Sequence, residues 1–154
     1  MALLALHGSR WTIAVALTLG LSGVALAAGA EALVEQREAG MKQAGGALKA
    51  LGAAAKAGAI TPADVEKAQA LADFAASVPS LFPEGSITEK SRALPEIWTD
   101  KAGWDAKAKG FADATAALLV AAKAGDVAAL RGAVGAAGDT CGACHKAFRG
   151  PEKD

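Results

Sequence analysis

The chain has 154 residues, 53% of them hydrophobic, and its 16 basic side chains balance its 16 acidic ones. A neutral chain without a basic stretch lacks the electrostatic pattern that binds nucleic acid, so we expect no nucleic-acid partner. The length suits a single domain.

Residues 1–27 have the pattern of a cleaved secretory signal peptide. Arg10 precedes an apolar run that begins at Trp11, and residues 25–27, Ala-Leu-Ala, form a small-x-small cleavage site. An uncleaved membrane anchor is the alternative, because the run approaches the length of a membrane span, although Thr, Ser and Gly residues dilute it. We predict export to the periplasm, one mature domain at residues 28–154, and no stable membrane insertion after cleavage.

Three segments of the mature chain have helical periodicity before residue 125. The first, residues 31–57, repeats apolar side chains seven residues apart. The second begins with Thr61 as an N-cap and Pro62 at the first helical position, and Pro79 ends it. The third covers residues 99–123 and presents aromatic and aliphatic side chains at helical spacing.

The fourth segment begins at Asp126, a favourable N-cap, and has the most regular apolar stripe. Its steps of three and four residues run from Val127 to Phe148 and include Cys141 and Cys144. The loops before the second and fourth segments are short, which makes antiparallel neighbours, whereas residues 80–98 form a longer crossover. We therefore predict an all-α, antiparallel four-helix bundle with both cysteines on a core-facing seam.

The string Cys141-Gly-Ala-Cys144-His145 carries the chemistry of the chain. A thioredoxin-like pair belongs at the start of a helix after a strand, and this pair comes late in a helix. Structural zinc needs about four ligands, and the mature chain offers no third Cys and no second His. A disulfide is a third alternative. Covalent haem fits, because two thiols one turn apart can bond the two vinyl groups while His145 ligates the iron.

The chain resembles the class II cytochromes c, which include cytochrome c' and the low-spin cytochromes c-556. The resemblance rests on "EQREAGMKQAGG" in the first helix, "LFPEGS" and "PEIW" in the crossover, and "CGACHKAFR" in the last helix. It covers essentially all of residues 28–154. It implies one covalently bound haem c per chain, and it leaves open whether the bundle dimerises through its first two helices.

Met41 decides between two functions that this resemblance implies. It is the only methionine of the mature chain and lies on the apolar stripe of the first helix. As the sixth iron ligand, as in cytochromes c-556, it gives low-spin iron suited to electron transfer with redox partner proteins. We favour this interpretation, in which Met41 ligates the iron. The alternative is high-spin, five-coordinate iron, as in cytochrome c', which binds nitric oxide or carbon monoxide while Met41 only lines the distal pocket.

Three further residues are candidates for haem contacts. Arg37 lies one turn before Met41 on an otherwise apolar stripe, so we expect it to pair with a haem propionate; the alternative is that it reaches solvent. Arg149 matches the basic residue on the proximal side in the family, or complements the helix C-terminus. Phe148 is expected to touch the macrocycle. No acid–base or nucleophilic constellation accompanies the motif, so we predict no enzyme activity.

Overall fold

The computed structural model describes the backbone of residues 21–152 and the side chains of residues 29–152. The fold has four long helices: α1 Leu21–Ala57, α2 Pro62–Ser77, α4 Lys101–Ala124 and α5 Val127–Phe148. Short loops join α1 to α2 and α4 to α5. The crossover between α2 and α4 contains the 3-10 turn Val78–Leu81 and the four-residue helix α3 Glu96–Thr99. Of the predicted signal peptide, residues 1–20 lie outside the described residues. Within residues 21–152, no helix is long and apolar enough to cross a membrane.

The long helices form a closed ring. α1 packs on α2 and α5, and α4 packs on α2 and α5. The predicted all-α four-helix bundle is confirmed, and the described residues contain no strand, only an isolated bridge between Ala93 and Arg149. The largest fully buried side chains come from α1, α3, α4 and α5: Leu51, Ile97, Thr115, Leu118 and Leu130.

Local sequence explains the helix boundaries. Thr61 and Asp64 form a capping box, in which Thr61 Oγ1 accepts from the Asp64 amide at 3.3 Å and Asp64 Oδ2 accepts from the Thr61 amide at 3.0 Å. Asp126 caps α5 by accepting from the Ala129 amide at 2.9 Å. Gly125, with φ of 68°, provides the left-handed residue that ends α4.

The third predicted helix differs from the observed one at its start. The prediction began it at residue 99, whereas α3 ends there and α4 begins at Lys101. Asp100 separates them, and its carboxylate accepts from the Gly103 amide at 3.0 Å as the cap of α4. The second helix ends at Ser77, just before Pro79, as predicted, and Pro79 lies in the first turn of the 3-10 segment that follows.

Candidate functional site

A cavity of about 530 Å³ lies between the crossover, α1, α4 and α5. Its volume falls within the usual range of ligand pockets, roughly 300 to 1,000 Å³. Apolar and aromatic side chains form much of its wall: Val34, Met41, Phe82, Ile97, Trp104 and Phe148. Trp104 is buried in the core and also lines this cavity.

The packing of α1 on α5 brings Met41 level with His145. Leu48 lies against Gly138, where an added Cβ would be 3.9 Å from Leu48 Cδ2. Because the two helices are antiparallel, two turns back from Leu48 reach Met41, and two turns forward from Gly138 reach His145. Met41 and His145 both line the cavity, and Met41 also packs against the main hydrophobic core.

The two thiols lie one turn apart on α5, as the motif requires. Both cysteines are free and half-buried, and burial raises the pKa of each thiol. Cys144 lines the cavity, whereas Cys141 packs against the core and donates from Sγ to the carbonyl of Ala137 at 3.3 Å. The structure therefore brings Cys144 and His145 directly to the cavity and leaves Cys141 one turn behind them.

His145 has the environment of a neutral imidazole. Burial lowers its pKa, and the positive charges of Arg149 and Arg92 lower it further. A neutral ring is the form that ligates a metal, so these neighbours favour the ligating state. Within residues 29–152, no group of three or more His, Cys, Asp or Glu side chains could hold a metal ion by itself.

Arg37 is buried rather than solvent-exposed, with 4% of its surface accessible. Its Nη1 donates to the Leu81 carbonyl at 3.2 Å and to Ser86 Oγ at 3.0 Å, and its Nη2 donates to the Ser86 carbonyl at 2.6 Å. The guanidinium carbon lies 4.5 Å from the centre of the Phe82 ring. Arg37 lines the cavity and ties α1 to the crossover; its pairing with a propionate stays a prediction.

An aromatic chain crosses from the crossover to α5. The Phe82 and Trp104 ring centres are 4.8 Å apart with planes at 63°, and those of Trp104 and Phe148 are 5.4 Å apart at 87°. Both pairs have the edge-to-face geometry that aromatic rings prefer. Trp98 fixes the Phe82 backbone by donating from Nε1 to its carbonyl at 3.0 Å. Phe148 is buried at the cavity wall, where its predicted contact with the macrocycle requires it to be.

Two arginines lie near His145, and the sequence pointed to only one of them. Arg149, the exposed residue that follows α5, lines the cavity and donates its amide to the His145 carbonyl at 3.1 Å. Arg92, from the crossover, also lines the cavity. Arg92 was missed because a crossover has no helical period that assigns its side chains to a face.

The residues of the cavity fit a covalently bound haem. An apolar and aromatic wall suits the porphyrin faces, Cys144 and His145 open onto the cavity, and Cys141 follows one turn back on the same helix. Cationic side chains also line it, which suits the carboxylates of the propionates: Arg37, Lys42, Arg92 and Arg149.

Comparison with known proteins gives consistent matches. Residues 32–149 match the family described as Cytochrome C'. Cytochrome c' from Pararhodospirillum photometricum is 40% identical over 121 residues, which span 77% of this chain and 97% of the relative. A nitric oxide complex of a cytochrome c prime mutant from Alcaligenes xylosoxidans has a TM-score of 0.72 at 30% identity, covering 80% of this chain and 97% of that one. For cytochrome c' from Rubrivivax gelatinosus the TM-score is 0.69 at 28% identity, with coverage of 76% and 94%.

Proposed function

This chain belongs to the cytochrome c' family of electron-transport haem proteins, with covalently attached haem c, and from that premise we propose that it binds nitric oxide or carbon monoxide at its iron. In this proposal Cys141 and Cys144 form the two thioether bonds and His145 is the single protein ligand. Met41 lines the pocket without ligating. The proposal thus favours the alternative that the sequence left open, rather than the His145/Met41 ligand pair.

The observation that carries the proposal is the family match over residues 32–149, joined to the apolar surroundings of Met41. The relative from Alcaligenes xylosoxidans is described as a nitric oxide complex. Val34, Met41 and Phe82 are apolar side chains of the cavity wall, and apolar surroundings suit small neutral diatomics. Met41 is also packed against the core, which is the ordinary role of a half-buried methionine.

The side chains of this chain supply positioning and electrostatics. Bound haem supplies an iron that changes oxidation state and can take a diatomic ligand at a free coordination position. The lowered pKa of His145 keeps its imidazole neutral and able to ligate. Arg37 holds the crossover, and with it Phe82, against α1. The other cavity cations, Lys42, Arg92 and Arg149, provide the charge that propionates require.

A low-spin electron carrier with Met41 as sixth ligand is the second candidate. It is favoured by one observation, which is that Met41 lies level with His145 and lines the same cavity. His/Met ligation raises the reduction potential and suits transfer between redox partner proteins. The apolar wall around Met41 is compatible with both candidates, so the spin state of the iron has to decide between them.

The deciding experiment is the visible spectrum of the purified holoprotein, ferric and ferrous, with and without carbon monoxide. We expect broad high-spin bands that respond to carbon monoxide and that are unchanged in Met41→Leu, because leucine conserves the volume of the side chain. Leu48→Met, on the same helix but outside the cavity lining, is the matched control. Sharp low-spin bands in the wild type that turn high-spin only in Met41→Leu would instead establish the second candidate.

We also propose export to the periplasm with cleavage after Ala27. Among residues 29–152, Val34 is the first that lines the cavity, so cleavage after Ala27 removes none of the described lining. Intact-mass measurement of the protein recovered from the periplasmic fraction tests this. The expected mass is that of residues 28–154 plus one haem, and a mass that includes residues 1–27 would contradict it.

A further inference from the structure

The segment that follows α5, residues 149–152, is held against the crossover by its backbone. We call this segment the C-terminal tail. The Gly150 amide donates to the Arg92 carbonyl at 2.7 Å, and the Leu94 amide donates to the Phe148 carbonyl at 3.0 Å. These bonds form the isolated antiparallel bridge between Ala93 and Arg149. One such bridge has no neighbouring strand to support it, so its stability depends on side chains.

The Arg92 side chain supplies that support. Its Nε donates to the carbonyls of Gly150 at 3.2 Å and Pro151 at 3.0 Å, and its Nη2 donates to the Gly150 carbonyl at 3.0 Å. Nη1 reaches the Glu152 carboxylate at 3.3 Å. The Glu152 side chain is 89% exposed, so this last contact is a surface ion pair and contributes little. The carbonyl bonds are the ones that hold the tail.

The tail is also a wall of the haem cavity beside His145. Arg92, Arg149 and Glu152 all line the cavity with His145. The Arg149 amide donates to the carbonyl of His145 itself, at 3.1 Å. A continuous path therefore runs from Arg92 through the tail to the last turn of α5, the turn that carries the iron-ligating imidazole.

We propose that Arg92 is a positioning residue, which fixes the His145 end of α5 and closes the cavity beside it by holding the C-terminal tail. The inference deepens the proposed function and rests on it only in requiring His145 as an iron ligand. The last turn of a helix frays when its following segment is released. Loss of Arg92 should therefore loosen the imidazole and open the cavity on that side, while the bundle stays folded.

The experiment uses the ferrous holoprotein of the wild type and four variants. Arg92→Ala removes every donor, and Arg92→Lys keeps the charge but loses the planar fork that serves two carbonyls at once. Glu152→Gln removes only the ion pair. Arg131→Ala is the matched control, since Arg131 also donates to a distant backbone carbonyl, that of Ala55 at 2.8 Å, away from the cavity.

Two readouts are recorded: hydrogen exchange of residues 89–95 and 146–152, and the iron–histidine stretching band in the resonance Raman spectrum. In Arg92→Ala we expect exchange of both segments to rise about tenfold, as fits the loss of several hydrogen bonds to a charged group. The iron–histidine band should broaden or shift to lower frequency. Arg92→Lys should fall between this variant and the wild type, and Glu152→Gln and Arg131→Ala should match the wild type in both readouts.

Wild-type exchange in Arg92→Ala, or faster exchange with an unchanged iron–histidine band, would overturn the inference. A rise of the same size in Arg131→Ala would do so too, because the effect would then be general loosening. If every variant proves six-coordinate and low-spin, the proposed function fails instead. The inference is then judged by tail exchange together with the urea concentration at which histidine ligation is lost, which should fall in Arg92→Ala.

Discussion

The Met41 side and the His145 side of the cavity are each tied to the same crossover by an arginine. On the Met41 side, Arg37 is 4% exposed and its partners are in the protein interior. On the His145 side, the Arg92 side chain is 26% exposed and its partners are carbonyls of the C-terminal tail. The two arginines make similar bonds in different surroundings. We therefore expect burial to determine how much each arginine contributes to the free energy of unfolding. We expect its neighbour, Met41 or His145, to determine which side of the haem it affects.

The largest expected effect comes from removing the haem, which lies between the Met41 side and the His145 side. The double variant Cys141→Ala, Cys144→Ala prevents covalent attachment and leaves a cavity of about 530 Å³ without its group. Gly132, Gly135 and Gly138 each cost roughly 1 kcal/mol relative to alanine in a free helix, so α5 depends on its packing against α1, α4 and the haem. We expect loss of the cooperative thermal transition, measured by circular dichroism.

A control for this variant lies next to the motif. Thr140→Ala removes a hydroxyl that donates to the Ala137 carbonyl at 2.7 Å but keeps both thiols. It should retain haem and a cooperative transition. A full-strength transition in the cysteine double variant would show that the two sides of the cavity hold together without the haem.

The next prediction compares the stability cost of removing the buried Arg37 with that of removing the more exposed Arg92. Arg37→Ala should lower the free energy of unfolding by about 3 kcal/mol, because it leaves the carbonyls of Leu81 and Ser86 unpaired in the interior. Arg92→Ala, whose partners can turn to water, should cost about 1 kcal/mol. Urea unfolding of both holoproteins measures the difference. Equal costs would mean that burial does not separate the two arginines.

The four helices could be predicted from the sequence because their stripes, caps and short loops are local signals. The helix ends are set by residues at the boundaries themselves: Thr61, Gly125 and Asp126. The haem motif is likewise local, because it consists of the spacing of Cys141, Cys144 and His145. The contacts of the crossover could not be predicted in this way. Its residues have no period, so nothing in the sequence connects Arg37 with Ser86, 49 residues away, or Arg92 with Gly150, 58 residues away.

The aromatic link between the two sides offers a smaller effect. Phe82 stacks on the Arg37 guanidinium and meets the edge of Trp104, which in turn meets Phe148 beside His145. Phe82→Leu keeps most of the apolar volume but loses both specific geometries, so we expect a loss of about 1.5 kcal/mol in the free energy of unfolding. A double-mutant cycle with Arg37→Ala measures the coupling, which should exceed that with Arg92→Ala. The reverse order would contradict the assignment of Phe82 to the Met41 side.

The smallest expected effect concerns Asp64 in the capping box of α2, outside the cavity and away from both arginines. Hydrogen bonds from the Thr61 side chain and amide, with a smaller effect of Lys67, hold the pKa of Asp64 below its ordinary value of 3.8. A carboxylate whose pKa is lower in the folded state stabilises the protein at pH values above its unfolded-state pKa, and this contribution is lost as the pH falls through its folded-state pKa.

Asp64→Asn should therefore lower the free energy of unfolding by about 1 kcal/mol at neutral pH, a typical value for a helix cap. The difference from the wild type should shrink below pH 3.8. Urea unfolding between neutral and acid pH measures this, with the haem spectrum recorded in the same samples. An altered spectrum at neutral pH would mean that the start of α2 is coupled to the cavity, although no contact in the described residues joins Asp64 to either arginine.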